Sequence, residues 1–194
     1  MPRQVFDYDP PDRFVAGTVG EPGSRTFFLQ ARTGTRVTSV ALEKAQVSVL
    51  AERVEDLLDE VLRVSGGTAP VPAVAPVDAE DNNPLDAPIE EEFRVGAMSL
   101  AWDPDAGRVV VECFAEGVSV DEDEEDEADD EADDEEDEEL DGAVLRVSMT
   151  GAAARAFTKR ALAVVAAGRP PCPFCNNPLD PSGHICPRAN GYRR

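Results

Sequence analysis

Four residues near the C-terminus have the types and spacing of a metal site. Cys172 and Cys175 form a C-x-x-C motif, and His184 and Cys186 lie two positions apart. The backbone amides of a C-x-x-C turn point back at its sulfurs, and side chains two residues apart in an extended segment leave the same face. Three thiolates and one imidazole close a tetrahedral shell, which is typical of structural zinc. The sequence therefore predicts one structural Zn²⁺ bound by these four residues.

Two other interpretations of the same cysteines stay open. A thioredoxin-like redox pair needs its C-x-x-C at the start of a helix, whereas this motif follows Pro170 and Pro171 and contains Pro173. Free thiols beside an incidental histidine are the other interpretation, although the chain's one histidine lies inside its only cysteine group. The fourth cysteine, Cys113, lies in a strand-like run, and we expect it to be a buried, inert thiol.

The common catalytic motifs are missing from the sequence. It has no nucleophile elbow, no phosphate-binding loop and no dinucleotide-binding glycine pattern, and no second histidine that could act as a general base. This pattern favours a zinc-binding adaptor or protein-interaction module over an enzyme. The alternative is a small enzyme or enzyme subunit with a polar cleft, where Arg25, Arg32 or Arg108 would pair with acidic residues.

A third possible function is nucleic-acid binding through the basic C-terminal tail. Basic and aromatic residues there could contact a phosphate backbone; they are Arg169, Arg188, Tyr192, Arg193 and Arg194. The same short tail could simply be solvated, or it could contact the chain's own acidic residues. On helix two, Arg155, Lys159 and Arg160 share one side, which we interpret as the solvent-exposed face of an amphipathic helix.

The elements that must position these residues follow from two alternating hydrophobic patterns. Runs of β-branched and aromatic residues predict strands, and apolar residues at three- and four-residue steps predict helices. The predicted strands are 14–20, 24–32, 36–42, 93–102, 107–116 and 143–149, and the predicted helices are 43–65 and 151–167. Thr150 has the residue type of a helix N-cap. The order is three strands and a helix, written twice.

This order predicts an α+β fold built from duplicated βββα units with an antiparallel sheet and two helices. A shift of 107 residues aligns Val37 with Val144 and Leu50 with Phe157. The predicted divisions are a first unit at 1–65, a Pro/Ala/acid-rich linker at 66–92, a second unit at 93–168 and a zinc-knuckle tail at 169–194. The alternative polar cleft would lie between the two units.

The strongly negative charge belongs to one segment. Residues 121–141 hold 18 of the chain's 40 acidic residues, and without them the formal net charge changes from −22 to −4. Mutually repelling carboxylates bury nothing, so we predict a disordered insertion within the second unit. Such a loop favours a basic protein partner.

We also expect a cytoplasmic protein that does not contact a membrane. The N-terminal stretch lacks the apolar region of a signal peptide. No apolar run approaches the roughly 20 residues needed to span a bilayer.

Three segments of the chain carry a resemblance to a known family. They are the opening MPRQVFDYDPPDRFVAGTVGEPGSRTFFLQAR, the helix EKAQVSVLAERVEDLLDE and the ending CPFCNNPLDPSGHICPRANGYRR. Together they resemble an uncharacterised actinobacterial family, domain of unknown function 3090. The resemblance implies no assigned activity. The knuckle of that family more often reads CPFCG, so Asn176 departs from it.

Overall fold

A computed structural model describes residues 4–117, 142–168, 172–175, 186 and 188. The described part contains these elements: β1 (Gln4–Tyr8), β2 (Arg13–Val19), β3 (Thr26–Thr33), β4 (Arg36–Leu42), α1 (Lys44–Val64), a 3₁₀ turn (Val77–Ala79), β5 (Glu91–Asp103), β6 (Arg108–Ala115), β7 (Ala143–Thr150) and α2 (Gly151–Ala166). The fold is α+β, as predicted. The predicted disordered insertion lies outside the described residues. None of the described helices is both long and apolar enough to cross a membrane.

All seven strands form one mixed sheet, in the order β1-β7-β6-β5-β4-β3-β2. The prediction of an antiparallel sheet was therefore wrong at two places. Strand β5 runs parallel to β4, because helix α1 carries the chain back across the sheet between them. Strand β1 runs parallel to β7. Strand β1 was not predicted, since its five residues, Gln4–Tyr8, include an acid and precede Pro10.

The sheet is strongly curved. The phenol of Tyr8 in β1 donates a hydrogen bond of 2.8 Å to the hydroxyl of Thr38 in β4. These strands are four positions apart in the sheet, which in a flat sheet would separate them by about 19 Å. Because both side chains are buried, the sheet must curl towards itself around the core.

One hydrophobic core joins the two halves of the chain. Its buried side chains come from both predicted units and include Leu29, Val40, Leu58, Val111, Leu145, Val147, Met149 and Phe157. The rings of Phe14 and Phe157 stack with centroids 4.8 Å apart. Thr150 is the N-cap of helix α2, as predicted. The hydroxyl of Thr150 accepts a hydrogen bond of 3.2 Å from the amide of Ala153.

The segment between α1 and β5 packs on the outer face of β2 and β3. We call residues 78–86 the strap. The buried side chain of Gln30 donates to the carbonyl of Asp86 at 3.0 Å and accepts from its amide at 2.7 Å. At Gly17 an added Cβ would come within 2.6 Å of the Leu85 side chain. The strap explains why five consecutive residues of β3, from Phe27 to Ala31, are all buried.

Candidate functional site

Three cysteines converge at the C-terminal end of the described chain, and we call Cys172, Cys175 and Cys186 the cysteine cluster. Their sulfur atoms all lie within 4.8 Å of one another. The Sγ atoms of Cys172 and Cys186 are 3.8 Å apart, far beyond the ~2.05 Å of a disulfide. Two sulfurs bound at ~2.3 Å to one tetrahedral zinc ion would lie about 3.8 Å apart. The spacing therefore fits two ligands of one tetrahedral ion.

The turn at residues 173–175 presents backbone donors to the first sulfur. The amide of Phe174 donates a hydrogen bond of 3.5 Å to the Sγ of Cys172. Burial raises the pKa of the Cys172 thiol, but hydrogen bonds from the backbone amides of Cys175 and Phe174, and contacts with the other two cysteines, lower it below the ordinary value. These donors stabilise the thiolate form, which is the form that binds a metal.

The turn at residues 173–175, which we call the knuckle turn, also exposes an aromatic side chain. The guanidinium of Arg188 donates a hydrogen bond of 3.1 Å to the carbonyl of Phe174, across the cysteine cluster from one chain segment to the other. The Phe174 side chain itself is 62% exposed. Its backbone is therefore anchored while its ring stays available for contact.

The structure brings together three of the four predicted metal ligands. The fourth, His184, lies outside the described residues, as do Asn176 and Tyr192. Cys113 is separate from the cluster and 1% exposed. Burial raises its pKa to about 12, so it is the inert thiol that its strand position predicted.

A second concave region lies between the two predicted units. This cleft has a volume of about 590 Å³ and lies among strand β2, the strap and the first half of helix α2. Its floor is apolar, with Phe14 and Phe157 among the residues that line it. Arg13, Arg160 and Asp81 form its polar side. None of the predicted cleft arginines, which are Arg25, Arg32 and Arg108, lines it.

The two arginines of this cleft are paired with Asp81 and with backbone carbonyls. Arg13 reaches both carboxylate oxygens of Asp81, at 2.5 and 3.1 Å, and the carboxylate of Asp86 at 3.0 Å. Arg160 donates to Ala16 O at 2.7 Å, on the outermost strand of the sheet, and to the strap carbonyls of Asp81 and Asn83.

These contacts change the protonation behaviour of the carboxylate. The hydrogen bond from Arg13 lowers the pKa of Asp81, although burial opposes it. The same hydrogen bond raises the pKa of Arg13, whereas burial lowers the pKa of Arg160. We call Arg13, Arg160, Asp81 and Asp86 the charged cluster. These contacts fasten the strap to β2 and α2.

The basic face of helix α2 differs from its interpretation as a solvated surface. That interpretation is wrong for Arg160, whose side chain is 11% exposed, and for Arg155, which is only 2% exposed. Its guanidinium contacts Glu55 at 2.6 Å and Asp59 at 2.5 Å on helix α1. Sequence reasoning missed this because the acidic partners lie about 100 positions away. The helical spacing of the acidic residues on α1 was the sequence signal that could have indicated this pairing.

The other predicted arginines are dispersed. Arg108 pairs with Asp9, and Arg32 lies 3.5 Å from Asp86. Arg25 lies elsewhere, against the C-terminus of helix α2.

Comparison with known proteins identifies the family of the chain. A profile described as "Protein of unknown function (DUF3090)" matches residues 6–186. The chain belongs to this family. No curated protein and no solved structure matches it. Membership in DUF3090 carries no activity with it, so function has to be argued from the cysteine cluster and the described surfaces.

Proposed function

We propose that this DUF3090 protein is a zinc-binding adaptor that presents a fixed surface to a protein partner. The observation that carries the proposal is the convergence of three sulfur atoms within 4.8 Å, two of them at the spacing of a tetrahedral zinc shell. His184 is proposed as the fourth ligand. A closed shell of four protein ligands leaves no position for water, which favours a structural role for one ion.

Metal analysis of the protein purified without added metal tests the zinc site. We expect about one equivalent of zinc in the wild type and loss of most of it in Cys175→Ser, because a structural site needs its full ligand set. Cys113→Ala is the matched control, since that buried cysteine lies outside the cluster, and it should keep its zinc. Equal zinc content in Cys175→Ser and the wild type would contradict the proposal.

The proposed contact surface is the knuckle turn around Phe174. A ring that is 62% exposed on an anchored backbone can enter a partner's apolar pocket with little ordering cost. The acidic segment 121–141 would accelerate encounter with a basic partner through long-range attraction, which salt screens beyond roughly 8–10 Å. We propose a cytoplasmic protein partner and give nucleic acid the lower place, because a chain of net charge −22 repels a phosphate backbone.

Affinity capture with full-length protein tests this surface. Phe174→Ala should lose the specific partner while it retains zinc, and raised salt should slow association. Val77→Ala is the control, because Val77 is 83% exposed and lies far along the chain from the knuckle. A partner that binds both variants equally would place the contact surface elsewhere.

The cleft between the units supports a second candidate, a small enzyme or enzyme subunit. A volume of about 590 Å³ is within the range of small-molecule sites. Ala153→Leu would fill the cleft from helix α2, and Ala163→Leu, also exposed on that helix, is a control that does not line it. Turnover of a metabolite that is lost only in Ala153→Leu would favour the enzyme over the adaptor.

We also propose that the two halves arose by duplication of a βββα unit. Strands β4 and β7 begin 107 residues apart, at Arg36 and Ala143, and the helices that follow them begin at Lys44 and Gly151, again 107 apart. Each of these strands has one parallel neighbour. An alignment of the family in which the two halves show no shared apolar pattern would contradict this proposal.

A further inference from the structure

A separate pocket on the described surface is lined by two cations and no carboxylate. It has a volume of about 560 Å³ and lies between the turn that joins β2 to β3, the start of α1 and the end of α2. Arg25 and Lys44 supply its charge, and Phe27, Pro22 and Val165 supply apolar wall. The pocket is therefore positive in a chain whose acidic residues outnumber basic ones by 40 to 18.

The two cations differ from most basic residues of the described chain. Ion pairs with carboxylates hold Arg13, Arg32, Arg63, Arg94, Arg108, Arg146, Arg155, Lys159 and Arg160. Within residues 4–117 and 142–168, neither Arg25 nor Lys44 has a carboxylate partner. Apart from a backbone carbonyl that Arg25 contacts, the described residues offer these two cations no anionic group.

Both cations lie at the C-terminal end of helix α2. The guanidinium of Arg25 donates a hydrogen bond of 2.5 Å to the carbonyl of Ala167, just after the helix ends. The ammonium of Lys44 lies 3.8 Å from the point that a Cβ on Gly168 would occupy. One helix end therefore holds the guanidinium and borders the ammonium. A side chain held before binding loses less entropy when a ligand arrives.

We propose that this pocket binds a small molecule through a phosphate group held between Arg25 and Lys44. Two cations match the double charge of a phosphate monoester, whereas a carboxylate would neutralise only one of them. A pocket of this volume falls within the roughly 300–1,000 Å³ typical of small-molecule sites. The apolar wall formed by Phe27 and Val165 then contacts the body of the ligand. This site is independent of the cysteine cluster.

Titration of the full-length protein with phenyl phosphate, followed by calorimetry and by the amide NMR signals of Gly23 and Gly168, tests the proposal. Lys44→Gln should weaken binding about tenfold, because a charge-assisted hydrogen bond is lost. Arg53→Gln is the matched control: it removes one exposed cation of the same helix, which has no carboxylate partner among the described residues, and should bind as the wild type does. Lys44 is exposed, so its variant should fold normally.

Three results would overturn the proposal. The first is equal loss of affinity in Lys44→Gln and Arg53→Gln, which would reflect net charge alone. The second is binding of benzoate as tight as that of phenyl phosphate, which would remove the preference for phosphate. The third is binding that occurs only after deletion of residues 121–139, which would make the chain's own acidic segment the occupant.

Discussion

Two regions of this protein contain arginines that have different roles. In the cleft, Arg13 and Arg160 are nearly buried, and both contact Asp81 and carbonyls of the strap. In the pocket at the end of α2, Arg25 and Lys44 face no carboxylate of the described residues. The comparison shows that an arginine paired with carboxylates of the protein has a structural role, whereas one without a carboxylate partner is available to a ligand.

The largest expected effect comes from breaking the charged cluster of the cleft. Arg13→Met removes contacts to two carboxylates and two carbonyls and leaves Asp81 with one cation fewer, so it should lower the free energy of unfolding by about 3 kcal/mol. Urea unfolding followed by the fluorescence of Trp102, the single tryptophan, measures this. Arg94→Gln breaks two solvent-accessible pairs, with Glu43 and Glu91, and should cost less than about 1 kcal/mol. Similar losses in both variants would show that the cluster does not fasten the strap.

A second variant tests whether the strap is packed as well as paired. Gly17→Ala would place a methyl group within 2.6–2.9 Å of three carbon atoms of Leu85, which should cost about 1–2 kcal/mol. The control is the same change in a Leu85→Ala background, where the space is open and the cost should mostly disappear. Additive effects of the two changes would indicate that the strap does not contact β2 at this point.

The pH dependence of stability gives a smaller effect with a definite sign. Because the pKa of Asp81 is lowered in the folded protein, its contribution is present above the unfolded pKa of roughly 4 and is lost as pH falls through the folded value. The stability difference between the wild type and Asp81→Asn should therefore shrink as pH falls from about 5 towards 2.5. Asp105→Asn, which removes an exposed carboxylate outside the cluster, is the control for the loss of one negative charge.

The smallest expected effect on stability comes from a change in the pocket at the end of α2. Lys44→Gln should change the free energy of unfolding by less than about 0.5 kcal/mol, since no carboxylate in the described part of the chain loses its partner. Phenyl phosphate should raise the melting temperature of the wild type but raise that of Lys44→Gln much less. A thermal melt with and without the ligand measures both. Strong destabilisation of Lys44→Gln by itself would mean that this cation is structural too.

Local pattern was enough to place most of the elements. The apolar period of α1 is carried by its buried residues Val47, Leu50, Val54 and Leu58, and the N-cap at Thr150 followed from residue type. The cysteine cluster could also be predicted, because its three cysteines lie within 15 residues of one another. Such features depend on neighbours in the chain, whose geometry the backbone fixes.

Local sequence pattern could not predict the strand directions, the strap or the two arginine sites. Strand β1 pairs with β7 from the far end of the sequence, and Arg160 meets the strap about 80 positions away. Distances of that kind depend on how the sheet curls and on which face helix α2 covers. The sequence by itself determined the helices, most strands and the grouping of the three cysteines. Only the tertiary structure decided which cations found carboxylates, because pairing depends on proximity in space and no local pattern encodes it.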